Sequence, residues 1–177
     1  MSQQMKKVIL LLIAPAIFFA AGCGNSKKND SNSSMPGMKE VQIKVNGTPL
    51  LLMVPSDSTK GKVEIVEQNW GATEIKLGKD FQISISEGDG NITLIKSDIA
   101  GNDVNKFKRY IKDEPTLLFW ESQITEPEFH FYSVQKAGKT SYVVEDIKGE
   151  MFSEKGIQTM IDAGKSLKVA ETAKPNS

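Results

Sequence analysis

Val41-Gln-Ile-Lys-Val-Asn-Gly-Thr-Pro-Leu-Leu-Leu-Met-Val54 decides how this chain folds. Val41, Ile43 and Val45 alternate with polar residues, which is the two-residue period of a strand with one buried face. Asn46-Gly47 follows, and both residue types tolerate the positive φ that a two-residue hairpin turn demands. Pairing across that turn sets Val45 opposite Thr48, Ile43 opposite Leu50 and Val41 opposite Leu52. The two apolar rows then share one face. Pro49 has no N–H to give a further neighbour, which predicts an edge position for the second strand.

The pattern continues outward as strands. Residues 55–62 are polar and form a loop, and Val63–Gln68 reads as a strand broken by Asn69-Trp70-Gly71. Glu74–Leu77 and Phe81–Ser86 alternate about a Gly78-Lys79-Asp80 turn. After Glu87-Gly-Asp-Gly90, the β-branched run Asn91–Lys96 predicts a returning strand. Val104, Phe107 and Ile111 then fall at helical spacing, widened by Tyr110, with Asp103 as the cap and Pro115 as the stop. Thr116–Glu121, Glu128–Gln135 and Thr140–Ile147 are three more strands, the last two joined through Ala137-Gly138-Lys139. Ser153 caps a final helix with Ile157, Met160, Ile161, Gly164 and Leu167 on one face. The expectation is an α+β fold, an antiparallel sheet with two helices packed against one of its faces. The domain runs over residues 39–168, and residues 169–177 read as a disordered tail.

The domain is preceded by two segments of different character. Lys6 and Lys7 open an N-terminal stretch whose apolar run, Val8–Ala21, is shorter than the about 20 residues a membrane-spanning helix needs. A basic end, a short apolar centre and small residues before a cut site make residues 1–22 a signal peptide. Ala20-Ala21-Gly22-Cys23 resembles the lipobox of bacterial lipoproteins, with Ala20 where Leu is usual. The resemblance implies that Cys23, the single cysteine, is lipidated and becomes the mature N-terminus. Acyl chains add about 0.8 kcal/mol per buried methylene, so two or more hold a protein firmly on a membrane. Residues 23–38 are rich in Ser, Asn, Lys, Gly and Pro and cannot offset the entropy of ordering, which makes them a flexible tether. Gly24 and the basic Asn25-Ser-Lys-Lys-Asn29 resemble the sorting class kept on the periplasmic side of the outer membrane.

Charge and composition exclude several functions. Two of the 22 basic residues and none of the 22 acidic ones precede Cys23, so the mature chain is slightly acidic, and a nucleic-acid partner is not expected. Arg109 is the single arginine, which argues against bidentate phosphate recognition. With one cysteine no intrachain disulfide can form, and the core alone must hold the fold.

Candidate chemistry is thin. Glu87, Asp89 and Asn91 alternate oxygen ligands but lack the spacing and bidentate Glu of a calcium loop. His130, the single histidine, has no second His or Cys with which to bind zinc. No G-x-S-x-G surrounds a serine, so His130 reads as a strand residue, sharing a face with Tyr132 while Phe129 and Phe131 take the other. Glu121, Glu126 and Glu128 flank Trp120 and Pro127, a grouping met in sugar-binding or glycosidase clefts. A solvated loop over Ser122–Pro127 accounts for them more simply. No cofactor or metal is expected, and the chain reads as a non-enzyme. Trp70 and Trp120 are expected in the core, as large aromatics in small domains usually are; the alternative is exposed anchors for a partner.

Phe129-His-Phe-Tyr-Ser-Val, Tyr142-Val-Val-Glu-Asp-Ile and Met160-Ile-Asp-Ala-Gly-Lys-Ser-Leu167, in this order of elements, resemble the PsbP-like fold family over roughly residues 40–168. The resemblance implies an antiparallel sheet flanked by helices, used for binding or assembly. The expected function is a membrane-anchored envelope lipoprotein that binds a protein partner or steadies a complex. The alternative is a binder of a small envelope ligand, such as a glycan fragment, on the open sheet face. A pocket with convergent polar groups favours the second reading; a flat apolar patch favours the first.

Overall fold

A computed structural model describes residues 35–171. The signal peptide, Cys23, most of the tether and residues 172–177 lie outside the described residues. The opening hairpin forms as its sequence requires: β1 (Met38–Val45) pairs antiparallel with β2 (Thr48–Pro55), in the register Val45 to Thr48, Ile43 to Leu50 and Val41 to Leu52. Asn46 and Gly47 take φ of 49° and 79°, the left-handed pair that a tight hairpin needs.

β2 is not an edge strand. The short β10 (Lys168–Val169) pairs with Leu50 and Leu51, and the Ala170 N–H donates to the Pro49 carbonyl at 3.1 Å. Pro49 is tolerated at the end of this short ladder, where its carbonyl accepts from the neighbour and only one donor towards β10 is missing. Val169 and Ala170 therefore belong to the fold and not to a tail.

The second sheet has seven strands: β3 (Glu64–Glu67), β4 (Ala72–Leu77), β5 (Phe81–Glu87), β6 (Lys106–Glu114), β7 (Leu117–Gln123), β8 (Pro127–Ala137) and β9 (Thr140–Asp146). They lie in the order β3-β4-β5-β9-β8-β7-β6, every pair antiparallel. Two helices complete the domain, α1 (Ile92–Ala100) and α2 (Glu154–Lys165). The α+β class holds.

Two elements exchange type relative to the sequence reading. The expected strand at Asn91–Lys96 is the start of α1. The Asn91 side chain accepts from the Leu94 N–H at 2.9 Å, a helix N-cap, and Ile92, Ile95, Lys96 and Ile99 turn towards the protein at helical spacing. The β-branched residues that suggested a strand are outweighed by that cap and period. Conversely, the expected helix around Val104–Ile111 is β6. Register shifts between Phe107 and Arg109 and between Tyr110 and Lys112 insert bulge residues. A bulge puts residues three apart on one face. Phe107 and Tyr110 thus stack at 4.6 Å between ring centroids while lying in a strand. The apparent helical period is the signature of the bulges. Pro115 and Thr116 make the turn into β7.

The helices do not share a face. Gly164 of α2 approaches Val144 so closely that an added Cβ would lie 3.2 Å from Cγ1, whereas a Cβ on Gly90, just before α1, would meet Val143. Neighbouring residues on β9 point to opposite faces, so α2 covers the inner face and α1 lies over the outer one. The core fills the space enclosed by the hairpin, α2 and the inner face. Leu50, Leu52, Ile75, Ile83, Phe119, Phe131, Val144, Ile157, Met160 and Ile161 are essentially inaccessible there. Ser153 caps α2, its hydroxyl accepting from the Gly156 N–H at 3.1 Å.

Candidate functional site

The outer face carries the chemistry. Period-two alternation on β8 sends Phe129 and Phe131 into the core and turns His130 and Tyr132 outward. Trp120 of β7 sits directly across from His130, and their rings lie 5.4 Å apart, inclined by 32°. β8 and β9 remain paired only as far as Tyr132 and Glu145. Beyond that point the Asp146 carboxylate takes over from the ladder. Its Oδ1 accepts from the Phe131 N–H at 2.7 Å and its Oδ2 lies 2.9 Å from His130 Nδ1.

The other side of the imidazole faces Asn105 and Glu128. The Asn105 amide nitrogen is 3.3 Å from His130 Nε2 and 3.2 Å from Glu128 Oε2. In the neutral ring these partners fix the tautomer: Nδ1–H donates to Asp146, and Nε2 accepts from Asn105. On protonation, Nε2–H turns to the Glu128 carboxylate, now 3.7 Å away. Burial alone would push the His130 pKa down. The hydrogen bond and charge of Asp146, joined by those of Glu128, outweigh it and raise it above its ordinary value. Glu128 lies at the start of β8, near the strand start expected for it, but is buried there, and Ser122, expected in the solvated loop, is buried in β7. The loop itself is only residues 124–126.

Above this cluster a cavity of about 320 Å³ opens between α1 and the sheet. Ile95 and Ile99 of α1 and the Trp120 indole supply its apolar lining. Asp98, Asn102, Asn105, His130, Tyr132, Glu145 and Lys148 bring polar groups from different elements. Asn102 shapes the rim, its side-chain oxygen accepting from the Val104 and Asn105 N–H groups at 3.1 and 2.8 Å. Burial pushes the Glu145 carboxyl above its usual range; the Lys148 charge opposes the rise and Asp146 adds to it. The position of α1 is fixed by the Asn91 N–H donating to the Tyr132 hydroxyl at 3.2 Å, and by Lys96, which pairs with Asp113 and lies 5.5 Å above the Tyr110 ring.

The remaining candidates are scattered. Glu121 pairs with Arg109 at 2.7 Å, Glu126 lies in the exposed turn, and Glu87 accepts from the Asn46 amide. Asn91 is a cap. Among the described residues no group of three or more acidic, His or Cys side chains is placed to hold a metal ion, and no helix is long and apolar enough to cross a membrane. The tryptophans diverge from the core expectation: Trp120 is half-buried in the cavity wall, and Trp70 is 67 % exposed at the turn between β3 and β4. Sequence reading missed Asp98, Asn102, Asn105, Glu145, Asp146 and Lys148. Their one available signal was the cap at Asn91, which would have placed α1 beside the sheet.

No family model matches this chain, and no curated protein or solved structure matches it.

Proposed function

We propose that this protein is a lipid-anchored envelope binding protein, held through Cys23, whose cavity between α1 and the outer sheet face takes a small polar ligand of the glycan-fragment class. The observation that carries this reading is the cavity's composition. One indole face and two isoleucines meet polar side chains converging from α1, β8, β9 and the loops, in a volume at the lower end of the roughly 300–1,000 Å³ of small-molecule sites. A sugar ring presents C–H groups on one side and hydroxyls around its rim. The negative face of an indole attracts the first, and amides, carboxylates and an ammonium pair with the second. The Glu145 carboxyl suits that role, because it lines the cavity together with the Lys148 ammonium and offers acceptor oxygens to hydroxyls.

The test is a glycan array followed by isothermal titration of the hits. Trp120→Ala should abolish binding with the fold intact. An array on which nothing binds, or a Trp120→Ala protein that binds as well as wild type, refutes the reading.

A second reading, a non-catalytic protein-binding or assembly module, is favoured by β3. This edge strand exposes Ile65 and Val66 beside Trp70, a surface suited to protein contact. Crosslinking from position 65 in intact cells, followed by identification of the joined protein, tests it. The tether and anchor fit a domain held on the periplasmic side of the outer membrane, where protease should reach it only after the outer membrane is opened.

A further inference from the structure

We propose that the ligand site continues from Trp120 across the outer sheet face to Trp70, and that its ligand is an oligosaccharide chain and not a single sugar unit. This extends the glycan-binding reading and rests on it. A second cavity of about 270 Å³ lies on the same face, lined by Trp70, Glu74, Ser84, Glu145 and Lys148 among others. Glu145 and Lys148 also line the first cavity. The two cavities therefore share a wall and are neighbouring stretches of one surface.

Strand register makes the connection. Glu74 pairs with Ser84, Ser84 with Glu145, and Glu145 with Tyr132. These four residues form a row across β4, β5, β9 and β8, all on the face where α1 lies. From β4 to β7 are four strand spacings, roughly 19 Å at about 4.8 Å each. That is longer than one sugar ring and suits a short chain. α1 packs towards β6, at the far end of the row, and Glu74 and Ser84 remain partly open to solvent.

The chemistry repeats at both ends. Each has an indole, and between them lie carboxylate, hydroxyl and ammonium groups. Holding Trp70 outward exposes apolar area that folding would otherwise bury. A second stacking platform gives that exposure a use. An oligosaccharide has a repeated stacking face and hydroxyls along its length, which a row of polar side chains between two indoles matches unit by unit.

The full chain, purified in detergent, is titrated with two series, N-acetylglucosamine oligomers and glucose oligomers, each from monomer to hexamer. Calorimetry and tryptophan fluorescence are the readouts. In at least one series the affinity should rise roughly tenfold or more between dimer and hexamer, as one added aromatic contact would give. Trp70→Ala should remove that gain and leave dimer affinity unchanged, and Trp70→Phe should restore part of it. Equal affinity for dimer and hexamer, untouched by Trp70→Ala, overturns the extension and leaves the single cleft standing. Absence of binding by every oligomer overturns both. A Trp70→Ala chain that loses a crosslinked protein while keeping its full length dependence places the indole in protein contact and also overturns the extension.

Discussion

Gly90 is the position where a single methyl group should do the most damage to the site. Its φ is +63°, and a Cβ built on it would lie 2.6 Å from Val134 Cγ2, 2.7 Å from the Tyr132 hydroxyl and 3.3 Å from Val143 Cγ2. Gly90→Ala therefore meets two separate costs. An L-residue in the left-handed region is about 1–2 kcal/mol less favourable. Overpacking against β8 and β9 adds about 1–3 kcal/mol, because neither valine belongs to a flexible chain end that can swing away. The sum, about 2–5 kcal/mol, is a large part of a total stability of roughly 5–15 kcal/mol. At roughly 3–4 °C per kcal/mol for a domain of this size, the melting temperature should fall by roughly 6–20 °C. Relief by shifting α1 away from the sheet would break the bond from the Asn91 N–H to Tyr132 and reshape the cavity. Gly88→Ala is the matched control, since nothing lies within 4 Å of its added Cβ and its φ is not positive. Urea unfolding of both variants, followed by circular dichroism, provides the comparison. If Gly90→Ala unfolds at the same midpoint as Gly88→Ala, α1 does not sit against β8 and β9 as described.

His130 should titrate above its ordinary pKa of 6.5 when followed by NMR. A folded-state pKa raised above the unfolded one contributes stability that is complete below about 6.5 and disappears as pH rises through the folded value. The stability difference between wild type and His130→Gln should therefore shrink with rising pH across that window; a difference that grows instead would mean the imidazole is held neutral. Ile161→Asp removes a side chain that is 1 % exposed and leaves a charge in the core, at about 3–5 kcal/mol or more. Soluble, folded Ile161→Asp protein melting like wild type would show that α2 does not cover the sheet. Cys23→Ser should abolish incorporation of labelled fatty acid, and labelling that persists would end the lipoprotein reading.

What could be read from the sequence was local and regular. The hairpin register from Val41 to Val54, the alternation of β8 and the cap and stripe of α2 each follow from residues adjacent or one turn apart. The two exchanged elements show where that reasoning stops. β6 hides its period behind two bulges, and whether a bulge forms depends on the partner strand. α1 is built from residues with strand preference, held by one cap and by packing on Tyr132. The site was legible only in part. His130 and Trp120 were singled out, but Asp146 and Asn105 reach His130 through strand pairing and loop closure across 16 and 25 residues. Such convergence is a property of topology and leaves no spacing rule in the sequence.

The two rims of the seven-stranded sheet differ in a way that bears on the proposed anchoring of the chain to a membrane through Cys23. Chains confined to a plane meet often, and a sheet that can add a neighbour at both rims can grow without limit. β6 closes one rim: its two bulges break the flat ladder, and Lys106, Lys108 and Arg109 bring charge to it. β3 leaves the other rim open for only four residues, with Glu64 and Glu67 at its ends. Antiparallel self-pairing there would set Glu64 against Glu67 of the second copy, so even a pair is discouraged. With one rim capped, edge-to-edge pairing through this sheet has a valence of one, and growth along it stops at a pair.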